Sequence, residues 1–592
     1  MIFSADFETT TDPEDCRVWA VGLFEIFSLD NFIYGNSIDW LFHFLELQNE
    51  KTTLYFHNLK FDGEFILNYL FSHGYVHVKE KRGMDNKQFT TLISSMGAFY
   101  SMYIKLENGN AVEIIDSLKI LPFSVEVIAK SFNLPIRKLE LDYTEYREVN
   151  HALTKEEADY LRNDVEIVAK ALETLFSQNL TKMTQGSNAL SDYKNIVGEK
   201  NFKKWFPKCR YDEDVRLSYK GGFTYLNPIW KNKTAYDGIV LDVNSLYPSV
   251  MYERPLPYGE GRHFEGRYKE DKIYNLYVQI FTCNFELKEG YIPTLQIKNS
   301  SEYFNPIEYL TSSNGIDVTL CLTSVDLELF FEHYDVYNIV WHHGWKFKST
   351  VGLFKDYIDK WIKVKIESTE NGNMGMRTLA KLMLNALYGK FATSPKGKSK
   401  YPYWDDINEQ VRYKIGDIEQ RESLYIPIGT FITAWARYKT IETSQKIKTY
   451  SIEKYGEDKY IYSDTDSIHT TLSVEECEQF LQIHPTKLGY WALEDKFKRG
   501  KFLRQKCYIE DIYKSEQDIE KYKAKNPNLT HHCSKNSILK VTCSGMPSRC
   551  YENVTFDNYE LGNHFKGKLQ MKHVKGGIVL VDIDFTLKTW YN

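Results

Sequence analysis

Two aspartates, Asp464 and Asp466, stand either side of a single threonine in the segment YIYSDTDSIHTT. The residues before them alternate between aromatic and β-branched types, which is typical of a strand, and residues two apart on a strand share a face. Two carboxylates on one face repel each other and raise each other's pKa unless a cation neutralises them. The spacing therefore predicts that a positive ion binds at this segment.

Three kinds of site would carry such a pair: a solvated acidic turn, a calcium loop or a magnesium site. The calcium loop is excluded because His469 stands where the loop needs its glycine when Asp464 is its first residue. Mg²⁺ takes only one or two protein carboxylates and fills its octahedron with water and phosphate oxygens. A further carboxylate is then needed, and Asp242 is a candidate, since it ends an apolar run before a turn able to bind a triphosphate oxygen.

The segment RTLAKLMLNALYGKF supplies positive charge for phosphates. Read as a helix, it places two cations, an amide and an aromatic ring on one face: Arg377, Lys381, Asn385 and Tyr388. The other face is predicted to pack on a core through Leu379, Leu382, Met383 and Ala386. An isolated helix of this kind is more often an ordinary solvated face, but beside the two aspartate segments it favours a nucleotide triphosphate and its base.

A second set of acidic residues lies in the first third of the chain. DFET provides Asp6 and Glu8 two residues apart, HNLKFDGEF provides Asp62, and YLRND provides Tyr160 and Asp164 one helical turn apart. Each acid alone is most often a surface carboxylate. Together they suit a two-metal nuclease, in which ions about 3.5–4 Å apart stabilise the attacking and leaving oxygens of a phosphodiester.

The composition bounds the class of protein. With 592 residues the chain is too long for one core, and its 43 % hydrophobic content is ordinary for a globular protein. The net charge of −6 argues against a generic nucleic-acid binder, although the run KFKRGKFLRQK, from Lys496 to Lys506, contains no acid. That run is either a solvated helix face or a surface that tracks phosphates.

Cysteine usage and hydropathy exclude several other classes. The nine cysteines form no CxxC pair, so neither a disulfide framework nor a zinc ribbon is indicated. The cluster His531, His532 and Cys533, even with Cys543 and Cys550, matches no common zinc spacing. The N-terminus has no basic leader and no apolar stretch approaches the ~20 residues of a membrane span, so we expect a soluble protein of a reducing interior.

The elements that must position these residues follow from periodicity. The first third alternates strands and helices, and residues 154–176 predict a helix with a capping box of Thr154 and Glu157. The pattern loosens over 180–193, where we expect a domain boundary. GIVLDVNSLYPSVMY predicts a strand running into a turn or helix, followed by a loop-rich stretch to about 352. Two helical segments, a polar β-like stretch, a poorly periodic segment over 512–537 and a final strand complete the chain.

The segments DFETT, HNLKFDGEF and YLRND resemble the three exonuclease motifs of family B DNA polymerases. DVNSLYPS, KLMLNALYGKF, YSDTDS and KCY resemble their polymerase motifs in the expected order, and YKGGF resembles the motif that links the two activities. The long segment between DVNSLYPS and the Lys381 helix points to the protein-primed, phi29-like subgroup of small tailed phages. The resemblance spans the chain from about Phe3 to its last strand.

The resemblance implies a role for each polymerase residue. Asp242 and Asp466 would hold two Mg²⁺ ions, with Mn²⁺ as an alternative, and Asp464 would lie alongside. Tyr247 would pack against the sugar of a dNTP and exclude a 2′-hydroxyl. Lys365 and Lys381 would bind the phosphates, and Asn385 and Tyr388 would contact the nascent base pair. The DNA strands would be bound by five residues: Lys506, Tyr508, Tyr219, Gly221 and Gly222. Arg377 replaces a lysine of the family and keeps the cation.

The resemblance also implies a 3′→5′ exonuclease site. Its carboxylates would hold two metal ions: Asp6, Glu8, Asp62 and Asp164. Tyr160 and Lys138 would assist them. The single-stranded 3′ end would be gripped by Thr9, Asn58, Phe61, Ser117 and Leu118.

The implied fold is an α/β and α+β multidomain protein, with an RNase H-like exonuclease domain followed by a right-hand polymerase of palm, fingers and thumb with two insertions. The expected exonuclease domain is 1–183, the palm 184–253 and 428–546, the fingers 353–391 and the thumb 547–592. The expected insertions, terminal-protein regions 1 and 2, are 254–352 and 392–427. The start of the thumb is the least defined boundary, because the polar stretch before CSGM is long.

The implied function is processive, strand-displacing DNA replication, primed by a terminal protein and proofread by the exonuclease. The expected partners are primer-template DNA, single-stranded DNA, dNTPs and the terminal protein. We expect a monomer in the host cytoplasm, without membrane contact. One alternative is an exonuclease whose C-terminal region only grips DNA, and another is a non-catalytic scaffold. Both are disfavoured because neither acidic set is broken.

Overall fold

Two large β-sheets carry most of the candidate catalytic residues. The computed structural model describes residues 1–143, 145–296 and 308–589. Within these residues the first sheet has eight strands and the second has seven, and a four-stranded sheet and two hairpins complete the β structure. None of the helices in the described ranges is long and apolar enough to cross a membrane.

The N-terminal sheet is mixed, and its centre is parallel. Its strands are β1 (Ile2–Thr9), β2 (Val18–Glu25), β3 (Phe32–Gly35), β4 (Thr52–Phe56), β5 (Val76–His77), β6 (Gln88–Ile93), β7 (Phe99–Lys105) and β8 (Ala111–Asp116). Its helices are α1 (Ile38–Glu46), α2 (Leu59–Ser72), α3 (Val125–Ser131) and α4 (Lys155–Phe176). The strand order is β3-β2-β1-β4-β8-β7-β6-β5, and β4 runs parallel to β1 and β8. This alternation confirms the α/β prediction.

Helix α4 begins where its sequence predicts. The Thr154 Oγ1 accepts a hydrogen bond from the Glu157 N–H at 3.2 Å, and the Glu157 side chain accepts from the Thr154 N–H at 2.9 Å. This capping box satisfies two amide groups that have no partner within the helix. The helix then buries Tyr160 and Asp164 one turn apart, facing β1 and β2.

A helical connection leads into the second half of the chain. Its elements are α5 (Gln185–Val197), α6 (Glu199–Trp205), α7 (Asp212–Arg216), β9 (Thr224–Leu226), β10 (Thr234–Val243) and α8 (Leu246–Glu253). The predicted boundary over 180–193 therefore contains the start of α5. The segment GIVLDVNSLYPSVMY forms a strand followed by a helix, as predicted.

The stretch from 254 to 352 folds as a sheet, where the sequence predicted loop-rich structure. Its elements are β11 (Leu256–Glu265), β12 (Leu276–Leu287), β13 (Val318–Thr323), α9 (Ser324–His333) and β14 (Tyr334–Thr350). The order is β11-β14-β12-β13, and register shifts interrupt the pairing of β14 with both of its neighbours. Such shifts break the alternation of buried and exposed residues, so the strands gave no clear period in the sequence. Residues 297–307 lie outside the described residues.

Two helices, a hairpin and a long helix follow: α10 (Lys355–Glu370), α11 (Met374–Phe391), β15 (Lys396–Asp405), β16 (Gln410–Gln420) and α12 (Ile426–Tyr455). The first two helices and the polar hairpin confirm the sequence prediction. Helix α12 was missed, because residues 426–434 are buried without interruption and leave no amphipathic period. It packs against α11, α8 and β17 (Tyr460–Asp464), beneath the second sheet.

The second sheet is completed by β18 (Ser467–Thr470), β19 (Trp491–Arg504), β20 (Cys507–Tyr513) and β21 (Ser537–Cys543), with the short helices α13 (Val474–Cys477) and α14 (Glu516–Lys525) between strands. Its order is β21-β20-β19-β10-β18-β17-β9. Most of the basic run Lys496 to Lys506 lies in β19. It is therefore a strand, and the helix-face interpretation is wrong. The buried rings of Phe497 and Phe502 anchor this strand while the cations between them reach outward.

A final hairpin, β22 (His564–Val574) and β23 (Gly577–Thr586), confirms the predicted last strand. Its tip packs into the core of the N-terminal domain, where Val574 and Ile578 contact the cluster that contains Phe65. The Glu64 side chain accepts a hydrogen bond from the Tyr413 hydroxyl at 2.7 Å and lies 3.3 Å from the His573 Nε2. The N-terminal domain, the β15–β16 hairpin and the last hairpin therefore meet at one junction.

Candidate active sites

The polymerase-motif site, defined by Asp242, Asp464 and Asp466, forms where β10 lies beside the β17–β18 hairpin. Asp242 is opposite Ser467, and the N–H of the next residue in β10 donates to the Asp466 carbonyl at 2.8 Å. Asp464 ends β17, and Thr465 reverses the chain with a φ of 63°. The two aspartates therefore flank a tight turn and do not share one face of a continuous strand, which corrects the strand prediction.

Asp464 is held by four neighbouring side chains, one of them the Thr465 hydroxyl, which donates to its carboxylate at 3.4 Å. Its carboxylate accepts hydrogen bonds from the Thr224 and Tyr462 hydroxyls, both at 3.2 Å, and lies 3.2 Å from the Lys506 Nζ. The Tyr462 hydroxyl in turn accepts the Lys506 N–H at 2.8 Å. Lys506 thus neutralises and orients Asp464, which leaves Asp242 and Asp466 as the acids available to a metal ion.

Asp242 and Asp466 form a strongly electronegative pair. Burial, followed by the charges of Asp466 and Glu494, raises the pKa of Asp242 to about 7. Burial, with the charges of Asp464 and Glu494, also raises the pKa of Asp466. A divalent cation would relieve this repulsion, and carboxylate oxygens are the ligands that Mg²⁺ prefers, so the residues fit the ion. Glu494 was missed in the sequence, where a single exposed acid within β19 carries no signal.

An aromatic stack borders this site. The backbone turns at Ser245, whose φ is 55°, and α8 begins at the next residue. Tyr247, in the first turn of α8, stacks on Tyr388 of α11 with ring centroids 4.0 Å apart and an interplanar angle of 17°. The stack places a flat ring beside Asp466, whose charge contributes to raising the pKa of Tyr388.

Helix α11 presents the predicted cations beside this stack. Lys381 and Asn385 are exposed, and Arg377 and Tyr388 are half-buried. Burial and the charges of Lys381 and Arg377 lower the pKa of Lys365, and burial with Arg377 lowers the pKa of Lys381. Cations that repel one another in this way favour a polyanion such as a triphosphate. The buried face consists of Leu379, Ala380, Met383, Leu384 and Leu387, so Leu382 and Ala386 are only half-buried, contrary to the prediction.

The YKGGF segment packs directly on the aspartate turn. A side chain at Gly222 would lie 2.6 Å from the Thr465 Oγ1, so only glycine permits this approach. Arg437 of α12, missed in the sequence analysis, donates to the carbonyls of Lys220 and Gly221 at 2.8 and 2.9 Å. The same guanidinium is paired with Asp326 of α9 at 2.7 Å. This buried cation fixes the segment, which also carries the half-buried Tyr219.

Lys506 and Tyr508 flank the turn and start of β20. Lys506 adopts a φ of 54°, and its side chain reaches Asp464 as described. The Tyr508 ring is buried and stacks on Phe502 with centroids 5.2 Å apart. The KCY segment is therefore adjacent to the aspartates, as its sequence position suggested.

The exonuclease-motif site, defined by Asp6, Glu8, Asp62 and Asp164, lies on the first sheet. Asp6 and Glu8 are two residues apart on β1, and α2 and α4 contribute the other two acids. Burial and the charge of Asp164 raise the pKa of Asp6 to about 7. Burial and the charge of Asp6 raise the pKa values of Glu8 and Asp62 well above their usual range. The structure thus brings together the four acids that the sequence predicted.

Lys138 and two tyrosines complete this site. The Lys138 Nζ lies 2.5 Å from the Asp164 Oδ2, whereas the buried Asp164 Oδ1 accepts no hydrogen bond from the described residues. The Tyr160 hydroxyl is 3.0 Å from that of Tyr143, which also hydrogen-bonds Glu8. Tyr143 was missed because it lies in an irregular loop. Across the described ranges, no three acidic, histidine or cysteine side chains already converge on a point that could hold an ion. A buried oxygen without a donor beside mutually repelling acids fits a divalent cation.

The predicted DNA-gripping residues surround these acids. Asn58 precedes α2 with a φ of 78°, and its N–H and that of Leu118 both donate to the Asp116 Oδ1 at 3.0 Å. The Ser117 hydroxyl is 2.9 Å from the His57 Nδ1. Thr9 follows a register shift in β1, and Phe61 is half-buried in the first turn of α2.

The cysteine and histidine cluster does not assemble. The buried His532 donates through Nε2 to the Val554 carbonyl at 2.9 Å, and Cys543 and Cys550 lie in an apolar cluster. The zinc alternative therefore has no support from the geometry.

Comparison with known proteins identifies the family to which these sites correspond. The family model for "DNA polymerase type B, organellar and viral" matches residues 45–152 and 140–481. The DNA polymerase of Bacillus phage M2 is 47 % identical over 99 % of both chains, and that of Bacillus phage phi29 is 45 % identical over 99 % of both chains. The DNA polymerase of Streptococcus phage Cp-1 is 30 % identical over 99 % of this chain and 98 % of its own.

Solved structures agree with the sequence comparison. The phi29 DNA polymerase bound to primer-template DNA and incoming nucleotides superposes with a TM-score of 0.89 at 44 % identity, covering 99 % of this chain and all of that one. The same enzyme bound to single-stranded DNA superposes with a TM-score of 0.87 at 43 % identity and the same coverage. The similarity therefore extends over both acidic sites and the segments between them.

Proposed function

This chain belongs to the organellar and viral type B DNA polymerases, and from that membership we propose that it replicates DNA from a terminal-protein primer, displaces the strand ahead of it and proofreads with a 3′→5′ exonuclease. It is a DNA polymerase with the α/β and α+β multidomain architecture of the phi29 enzyme. The division into exonuclease, palm, fingers, thumb and two insertions, with the boundaries given above, is part of this proposal.

One observation carries the proposal: the chain holds two separate acidic sites, each with a lysine on one carboxylate. Lys138 pairs with Asp164 in the exonuclease-motif site, and Lys506 pairs with Asp464 in the polymerase-motif site. A chain that only gripped DNA through its second half would have no use for half-buried aspartates that repel each other there, because partial burial and repulsion disfavour their ionised forms. The exonuclease-only and scaffold alternatives are therefore not supported.

At the polymerase-motif site, Asp242 and Asp466 would hold two divalent ions, Mg²⁺ or Mn²⁺. When bound, such ions neutralise the triphosphate and stabilise the attacking and leaving oxygens of the in-line transfer. Lys365 and Lys381 bind the triphosphate, and the Tyr247 ring excludes a 2′-hydroxyl by occupying its space. Asn385 and Tyr388 border the nascent base pair. Lys506 and Tyr508 hold the primer strand, and the protein contributes mainly by positioning its substrates.

At the exonuclease-motif site, Asp6, Glu8, Asp62 and Asp164 would hold the ions that activate water and stabilise the leaving 3′ oxygen. Lys138 orients Asp164 and favours its ionised form against the effect of burial, because the ammonium lies against one of its oxygens. The hydroxyl of Tyr160 is oriented by Tyr143. Thr9, Asn58, Phe61, Ser117 and Leu118 grip the single-stranded end, and Tyr219, Gly221 and Gly222 contact DNA between the two sites.

Two structural features support strand displacement and processivity. A cavity of about 720 Å³ separates the N-terminal domain from α11 and the base of the β15–β16 hairpin, and cations line it: Lys182, Lys390 and Arg421. A single strand can be guided through such a passage while its complement is held outside. The junction of Glu64, Tyr413 and His573 closes the second insertion and the last hairpin onto the N-terminal domain, which favours an enzyme that remains on its DNA.

Protein priming is supported by the two insertions, which are the sheet β11–β14 with α9 and the hairpin β15–β16. We propose that a terminal protein binds the first of them and that its own hydroxyl replaces a DNA primer terminus. The other partners would be primer-template DNA, single-stranded DNA and dNTPs, and the chain would act as a monomer in the cytoplasm of its host.

A labelled-primer experiment tests the proposal. A 5′-labelled primer is annealed to a template that carries a downstream blocking strand and incubated in Mg²⁺ with and without dNTPs. We expect extension through the block with dNTPs and 3′ shortening without them. Shortening in both conditions would refute polymerisation, extension that stops at the block would refute strand displacement, and a stable primer without dNTPs would refute the exonuclease.

A further inference from the structure

Lys540, which lies outside all of the polymerase motifs, contacts Glu494, the acid whose charge raises the pKa values of Asp242 and Asp466 after burial. The pairing of β19 with β10 changes register between Val240 and Leu241, which pair with Asp495 and Leu493, so Glu494 is an extra residue in β19. Extra residues of this kind bend a strand and redirect a side chain. The bulge lies two residues from Ala492, the partner of Asp242, and the charge of Glu494 acts on both Asp242 and Asp466.

Lys540 of β21 contacts this bulge from two strands away. Its Nζ lies 3.7 Å from the Glu494 carboxylate and 3.2 Å from that of Asp495. It is also opposite the buried Glu510 of β20, whose charge adds to that of the two carboxylates in contact with the ammonium group. Desolvation lowers the pKa of Lys540, but the charges of Glu494 and Asp495 raise it by more than desolvation lowers it, so the net shift is upward. The surrounding carboxylates therefore favour the charged ammonium group.

We propose that Lys540 is a positioning residue of the polymerase-motif site, which holds Glu494 at the bulge and supplies an internal positive charge that weakens divalent-ion binding when no nucleotide is present. The charges of Glu494 and Lys540 both reach Asp242 and have opposite signs, and Lys540 makes its contacts with Glu494 and Asp495 and not with the aspartates that would hold the ions. Mg²⁺ is then held weakly by the aspartates alone and firmly once triphosphate oxygens complete its coordination. The site would thus load metal together with the nucleotide.

The neighbouring Lys514 provides a matched control. It binds the same Asp495 carboxylate at 2.7 Å and is about as exposed as Lys540, with side-chain exposures of 38 % and 37 %. No contact between Lys514 and Glu494 occurs among the described residues. Replacing Lys514 therefore removes an equal charge and a partner of Asp495 but leaves the Glu494 pair in place.

The test measures Mn²⁺ binding directly, by the loss of the free-ion electron paramagnetic resonance signal. The full chain carries Asp6→Ala and Glu8→Ala, so that the polymerase-motif site dominates the titration. Without nucleotide, we expect Lys540→Gln to tighten Mn²⁺ binding by about fivefold, since one charge acting on a dication over roughly 10 Å has an effect of this order. We expect Lys514→Gln to change the Mn²⁺ affinity by less than about twofold. Lys540→Arg keeps the positive charge and should bind Mn²⁺ as the chain with Lys540 does.

A second variant separates this inference from the proposed function on which it rests. Asp466→Ala should abolish the Mn²⁺ binding, and if it does not, the proposed metal site itself is wrong. If Asp466→Ala abolishes binding but Lys540→Gln leaves the affinity unchanged, or Lys514→Gln tightens it equally, the role of Lys540 is refuted. Should Lys540→Gln fail to fold, Glu494→Gln tests the same coupling, because it should weaken Mn²⁺ binding in the chain with Lys540 intact. Unchanged affinity in Glu494→Gln would refute the inference as well.

Discussion

The exonuclease-motif site gathers four acids from β1, α2 and α4, whereas the polymerase-motif site takes three from β10 and one tight hairpin. Three acids of the former are almost fully buried, with exposures of 3–4 % for Glu8, Asp62 and Asp164, while the aspartates of the latter are half-buried. A nucleotide brings its own phosphate oxygens to a metal ion, so a polymerase site needs fewer protein ligands. A DNA end offers only one scissile phosphate, so the protein must supply more of the coordination.

The two sites also use paired tyrosines differently. Tyr247 and Tyr388 stack face to face beside the polymerase-motif site, with an interplanar angle of 17°, whereas Tyr143 and Tyr160 meet through their hydroxyls at 3.0 Å. A stacked pair presents a flat apolar wall, which suits the selection of a sugar by shape. A hydroxyl pair beside carboxylates suits the orientation of a water molecule or of a phosphate oxygen.

The largest expected effect follows from removing an aspartate of the polymerase-motif site. Asp466→Ala should lower nucleotide addition by on the order of a thousandfold or more, because it removes a proposed ligand of the ions that would neutralise the transferring phosphate. Asp464→Ala should have a similar effect, since it also releases Lys506. Primer extension and 3′ shortening are measured on the same preparations. A parallel loss of shortening would contradict the independence of the two sites.

Substitutions in the exonuclease-motif site should have the opposite pattern of effects. Asp6→Ala combined with Glu8→Ala should lower 3′ shortening by on the order of a thousandfold while extension stays within about twofold of the original rate. The reason is that β1 supplies two of the four acids and none of the residues near Asp242. A labelled single-stranded oligonucleotide in Mg²⁺ is the substrate. A persistent metal-dependent exonuclease would show that the acids of β1 are not its ligands.

How much of this arrangement the sequence predicts depends on whether a signal is local. The pair of Asp6 and Glu8, the capping box of α4 and the polar stripe on α11 are local patterns, and each lies on the strand or helix that the sequence predicts. Glu494, Arg437 and Tyr143 were missed because a register shift, a buried pair with Asp326 and an irregular loop bring them to their sites. The turn at Thr465 was predicted as a strand, because the alternating residues before Asp464 give no sign of the positive φ that follows them.

A third prediction sharpens the contrast between the tyrosine pairs. Tyr247→Val should reduce the discrimination against ribonucleotides by about a hundredfold, because it removes the ring that we propose fills the space of a 2′-hydroxyl. Tyr247→Phe keeps the ring stacked on Tyr388 and should keep the discrimination. The ratio of kcat/KM for a dNTP to that for the matching rNTP is the measurement. Equal ratios in the original chain and Tyr247→Val would assign the selection to another group.

The smallest expected effect comes from removing a helix cap. Each half of the chain has a capping box, so the two can be compared. Thr154 and Glu157 cap α4, which holds Tyr160 and Asp164, whereas Ser473 and Glu476 cap the four-residue α13. Thr154→Ala should destabilise the first turn of α4 by about 1 kcal/mol. Hydrogen exchange of the amides in that turn should then accelerate about fivefold, and 3′ shortening should slow slightly while extension does not.

Ser473→Ala is the matched control for this prediction. Its hydroxyl accepts the Glu476 N–H at 3.3 Å, nearly the distance found for Thr154, but α13 carries no acid of either site. Glu157 is buried and also pairs with Arg147 and His151, whereas Glu476 is held by exposed partners. Loss of the Thr154 cap should therefore disturb the positions of the acids on α4, whereas loss of the Ser473 cap should affect only α13. If Ser473→Ala slowed 3′ shortening as much as Thr154→Ala does, destabilising one half of the chain would also disturb the site in the other half. The two sites would then be independent in their catalytic residues but not in their stability.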